Sequence, residues 1–76
     1  MLKEGVPGGG FRLTVTGSPS HDIECFLQGE EGMSDTFQGQ GEAHSAVLSA
    51  NGGVSYLQVT DRTTGRKDFF KIAPQN

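Results

Sequence analysis

The residues able to do chemistry are few in this 76-residue chain. Ser18, Ser20, Ser45 and Cys25 are potential nucleophiles, and His21 and His44 are potential bases. Ser20, His21 and Asp22 follow one another directly, but neighbours on an extended strand point to opposite faces. Working triads draw their members from separate segments. No nucleophile elbow accompanies these serines. Turn polarity and surface histidines account for the same residues, so no catalytic site is expected and the chain reads as a non-enzyme.

Metal chemistry fares no better. His21, Cys25 and His44 have the ligand types of a zinc site, yet four strand positions separate His21 from Cys25, ~13 Å between their Cα atoms. Zinc holds its ligands at about 2.0–2.3 Å, so the set would converge only if His21 folded back from a turn. Glu30, Glu31 and Asp35 form an acidic cluster without the D-x-D-x-D-G spacing of a calcium loop. Gly8-Gly9-Gly10 is not a phosphate loop. No Gly-Lys-Ser/Thr follows it, and the next element is a strand rather than a helix. Neither a metal nor a cofactor is expected.

Two surface constellations carry more. Residues 54–72, VSYLQVTDRTTGRKDFFKI, hold four of the six Lys and Arg residues: Arg62, Arg66, Lys67 and Lys71. Tyr56 and Phe69 fall on the Lys71 face of the same hairpin, an arrangement compatible with stacking single-stranded nucleic acid beside a basic groove. Against this stand a pI of about 5.1 and a net charge of −3, far from a nucleic-acid binder's basic footprint. Basic residues also protect strand edges from unwanted pairing. The second constellation is aromatic. Phe26, Tyr56 and Phe69 each break the alternation of core and solvent positions in the same direction, and aromatic anchors ringed by polar groups build interface centres.

The elements that must position these groups are strands. Residues 11–16, FRLTVT, alternate cleanly, with Phe11, Leu13 and Val15 on one face. Residues 22–28 place Ile23, Cys25 and Leu27 inward and Glu24, Phe26 and Gln28 outward. Residues 34–38 suggest a short strand with Phe37 inward, weakened by Gly39 and Gly41. Residues 42–50 would permit a two-turn helix, but a strand is favoured because Asn51-Gly52 signals a hairpin turn leading into Val54. Residues 54–60 and 66–72 form the closing hairpin around DRTTG, where Asp61 can accept backbone N–H bonds and Gly65 can take a positive φ. The apolar face of that hairpin would be Leu57, Val59, Phe70 and Ile72.

These signals predict an all-β domain of five to six short strands, an antiparallel meander or Greek key closed as a small barrel or sandwich. Its expected limits are a flexible lead at 1–10, a single domain at 11–72 and a tail at 73–76. The apolar content is only 33% with no Trp, a lean core that a second copy or a partner would supplement. One cysteine precludes a disulfide within the chain. No leader-like apolar run opens the chain, and no stretch approaches the ~20 apolar residues of a membrane span, so a cytoplasmic location without membrane contact is expected. The functional expectation is a protein-binding module, an adaptor, inhibitor or homo-oligomer acting through Phe26, Tyr56 and Phe69. Single-stranded nucleic-acid binding through Arg62, Arg66, Lys67 and Lys71 is the alternative.

Overall fold

A computed structural model describes residues 1–29, 32, 34–48 and 53–73. The described residues form seven strands and no helix: β1 (Leu2–Gly5), β2 (Phe11–Thr16), β3 (Asp22–Gly29), β4 (Ser34–Gln40), β5 (Glu42–His44), β6 (Ser55–Asp61) and β7 (Lys67–Ile72). They make two sheets, ordered β1-β2-β5 and β4-β3-β6-β7, with every ladder antiparallel. The sheets face each other as a small sandwich, the all-β architecture that the alternation implies.

The alternating side chains sort themselves as period 2 demands. Phe11, Leu13 and Val15 of β2, Ile23, Cys25 and Leu27 of β3, and Leu57 and Val59 of β6 all enter one core. Phe37, Ala43, Leu48 and Ile72 complete it. The register builds this core in rows, Phe37–Cys25–Val59 and Leu27–Leu57 running across the larger sheet. Each buried leucine contributes ~1.5–3 kcal/mol. The smaller sheet is locked at β5, where the Leu13 N–H donates to Ser45 Oγ at 2.8 Å and the Ser45 N–H to the Leu13 carbonyl at 3.0 Å. No buried side-chain polar atom among the described residues lacks a partner.

The chain moves from the larger sheet to the smaller between β4 and β5. Gly41, at φ +76°, makes the bend, a common device where a strand changes sheets. Gly39 permits it, because a Cβ there would stand 2.0 Å from the Glu42 carbonyl oxygen. The weakening that the sequence shows at these glycines is therefore a corner.

Three expectations change. Leu2–Gly5 is not part of a flexible lead but a strand paired with β2. Its glycine-rich exit folds into a turn in which the Gly9 N–H donates to the Val6 carbonyl. Of the stretch expected at 42–50, the described residues 42–48 do not pair with β6: β5 lies beside β2, and β6 lies between β3 and β7, so the chain passes from one sheet to the other instead of forming a hairpin. Leu48 contributes an isolated bridge to Phe11. The Asn51-Gly52 turn and residues 74–76 of the expected tail lie outside the described residues, as do Glu30 and Glu31. Third, Phe70 does face the core side, directly opposite Leu57, yet remains 40% exposed. It sits on an edge strand, and the facing edge strand β1 turns only Lys3 and Gly5 inward, in register with Leu13 and Phe11.

Candidate functional site

The outer face of the larger sheet is read directly from its register. One cross-strand row runs Thr36–Phe26–Gln58–Phe69, and the next runs Ser34–Gln28–Tyr56–Lys71. Tyr56 is thus the diagonal neighbour of both Phe26 and Phe69, within reach of large side chains on a twisted sheet. The three aromatics that sequence alternation singled out meet on one surface. They are 43%, 53% and 72% exposed in the order Phe26, Tyr56, Phe69. With Gln28, Leu57, Gln58, Phe70 and Lys71 they line a shallow depression of about 450 Å³.

The rim of this surface is polar. Lys67 and Lys71 flank it on β7, and the row beyond Phe26 carries Gln38, Glu24 and Thr60. Arg62 leans over the Glu24 side, its Nη1 3.7 Å from Glu24 Oε2 and 3.9 Å from Asp22 Oδ2. Arg66 lies 3.6 Å from Asp68. Two of the four basic residues proposed for nucleic acid are therefore beside carboxylates, while Lys67 and Lys71 border the aromatic row.

The residues considered for catalysis disperse. His21 turns to Asp61, Nδ1 to Oδ2 at 2.7 Å, rather than to its neighbours Ser20 and Asp22. Asp61 is the hub of the β6–β7 turn, as its place in DRTTG suggested. Its Oδ1 accepts from the Thr63 and Thr64 N–H groups, and Gly65 closes the turn at φ +83°. The hydrogen bond from His21 holds the Asp61 carboxyl below the usual carboxylate range; it outweighs the opposing effect of burial, and the Thr64 and Thr63 N–H groups add to it. Sequence spacing alone could not pair His21 with Asp61, forty positions away; the signal is that β3 and β6 align Ile23 with Asp61, two residues from the imidazole.

His44 is on the outer face of the smaller sheet, its Nε2 2.6 Å from Glu42 Oε1 and its Nδ1 3.1 Å from Thr14 Oγ1. Cys25 is wholly buried, and burial, reinforced by the adjacent Glu24 carboxylate, pushes its thiol up to about 11. Ser45 is committed to the Leu13 backbone. His21, Cys25 and His44 do not assemble, and no group of three metal-ligating side chains occurs among the described residues.

No protein-family model, curated protein or solved structure matches this chain. Its functional reading rests on this surface and on the chemistry of its side chains.

Proposed function

We propose that this is a non-enzymatic protein-binding domain whose contact surface is the outer face of the four-stranded sheet, centred on Phe26, Tyr56 and Phe69. The observation that supports it is their convergence: three large aromatics from three strands adjoin on one face, where a solvated sheet would carry polar residues. Single exposed aromatics are ordinary, but a contiguous patch with a polar rim has the anatomy of an interface. Burying such anchors supplies most of an interface's binding energy.

Alanine substitutions test this without dismantling the core. Phe26→Ala and Tyr56→Ala, alone and combined, should each weaken association by roughly tenfold or more while leaving the unfolding transition cooperative. The variants serve as paired baits with the native chain in a two-hybrid screen, and affinities are then measured by titration calorimetry. Partners that bind both chains equally would sink the reading, as would variants that no longer fold.

Single-stranded nucleic acid is the lesser reading, favoured by the row that sets Lys71 beside Tyr56. Its distinguishing result is binding to an oligonucleotide that falls steeply with salt and is abolished by charge reversal at Lys67 and Lys71.

A further inference from the structure

The outer edge of β7 offers a second, more specific observation. No strand among the described residues pairs with that edge. The Asp61 N–H donates to the Arg66 carbonyl at 2.8 Å, a pair that continues the hairpin register one step past Thr60 and Lys67. Antiparallel pairs alternate between bonded and non-bonded, so Asp68, Phe70 and Ile72 spend their backbone groups on β6. Lys67, Phe69 and Lys71 direct theirs to the open edge. Phe69 and Phe70 are consecutive, lie on opposite faces, and are both exposed. Phe70 reaches the rim of the outer depression but its ring lies on the core side of β7. A strand laid alongside β7 has side chains on both faces and covers both rings.

We infer that the occupant is a second copy of this chain, joined β7 to β7 in an antiparallel two-fold seam that makes one continuous eight-stranded sheet. This deepens the protein-binding reading by naming the partner, but it is carried by Phe70 and the open edge rather than by the aromatic face alone. Side-chain chemistry selects the register. Setting Phe69 opposite Phe69 would place Lys67 against Lys71 twice, a repulsive cross-strand pair. Moving the centre to Phe70 removes that clash. Phe70 then meets its symmetry mate on the core side, in the close non-bonded position, and Phe69 meets Lys71 of the other copy on the outer side. That ammonium would lie between the other copy's own Tyr56, its cross-strand neighbour within the hairpin, and an aromatic ring from across the seam, a favourable cation–π setting. The two lysines that guard the edge against general pairing thus admit this one alignment. The paired stretch, residues 68–72, stops short of Ala73, whose carbonyl already accepts from Lys3 Nζ at 2.8 Å. A seam this short is smaller than a standard interface, so the dimer should be concentration-dependent.

Sedimentation velocity of the full chain over a wide concentration range should show a reversible monomer–dimer equilibrium. Phe69→Glu and Phe69→Lys remove the same aromatic, so a face-on contact would lose affinity about equally in both. The edge seam separates them. The carboxylate introduced by Phe69→Glu would oppose Lys71 attractively, and the ammonium introduced by Phe69→Lys would oppose it repulsively. With two such pairs per dimer, the Kd values should differ by about tenfold. Phe70→Cys should oxidise to a covalent dimer through a non-bonded pair whose Cα atoms stand ~4.5 Å apart, whereas Phe69→Cys should not; Cys25, buried in both, stays silent. A strictly monomeric native chain at its highest attainable concentration overturns the seam. So does a dimer dissociated equally by both Phe69 charge variants, or one linked through residue 69 instead of 70. Those last two outcomes would leave the protein-binding surface standing, while indifference of all association to Phe26→Ala and Tyr56→Ala would remove that surface and not the seam.

Discussion

Asp61 shows how much one side chain can organise. Its carboxylate binds His21 and two turn amides, joining the start of β3 to the hairpin that ends the chain. Because its pKa is lower in the folded protein than in the unfolded one, the folded state binds its proton less readily. That stabilisation is complete above the unfolded carboxyl value, ~3.9, and is lost as pH falls through the lower folded value. Denaturant titrations from neutral pH into acid should therefore show Asp61→Asn less stable than the native chain above about pH 4, the gap closing below it. A gap independent of pH would mean that the carboxylate's charge contributes nothing. The turn role of Asp61 was legible in DRTTG because local side-chain-to-backbone bonding is a short-range property. The imidazole partner was not, since it depends on which distant strands align.

At the scale of elements, the alternation in β2, β3 and β6 was readable because each of these strands has one wet face and one dry face, whereas in β7 only Ile72 is buried. The same rule exposed Phe26, Tyr56 and Phe69 as exceptions. Pairing partners were less readable. Asn51-Gly52 invited a hairpin before β6, but the chain leaves the larger sheet at the Gly41 bend, and β5 pairs with β2 instead. β1 was hidden by the glycines and proline that follow it, because its four residues carry little apolar pattern of their own. The corner is where a small change should be costly. In Gly39→Ala the added methyl would collide with the Glu42 backbone rather than with a side chain able to move. We expect a loss of roughly 3 kcal/mol or more in urea denaturation. Gly32→Ala, at a hairpin where nothing crowds the added carbon but φ is +83°, should cost less. Equal losses would mean that backbone conformation, not crowding, sets the requirement at Gly39.

The whole molecule sets a smaller sheet on a larger one, and the two differ at their margins. On the core side β7 carries Phe70, but β1 opposite it supplies Lys3, which arches over the Phe11 ring at 4.8 Å to reach Ala73. The sandwich is closed by a polar strap at one edge rather than by apolar packing. The low apolar content read from the sequence thus has a location. Residues 21–42 hold six Asp and Glu residues and no Lys or Arg, whereas the closing hairpin is rich in both, yet the described residues bring the two stretches together. β3 and β6 are neighbours, so Arg62 comes to lie beside Asp22 and Glu24. Composition recorded the asymmetry of charge along the chain, while the antiparallel register folds it back on itself.

The strand order also has a consequence in time. Among the described residues, three of the five ladders, β1–β2, β3–β4 and β6–β7, join strands consecutive in the chain; β3–β6 and β2–β5 join distant ones. Local hairpins close at small entropic cost, and distant pairings limit the rate. β3–β6 unites two ready hairpins into the larger sheet, whereas β5 can meet β2 only after the chain has bent at Gly41. The larger sheet should therefore assemble before the rate-limiting barrier and the smaller one after it. In stopped-flow experiments Leu57→Ala should mainly slow refolding and Val15→Ala mainly hasten unfolding. The opposite division would place the first commitment of the chain in the smaller sheet.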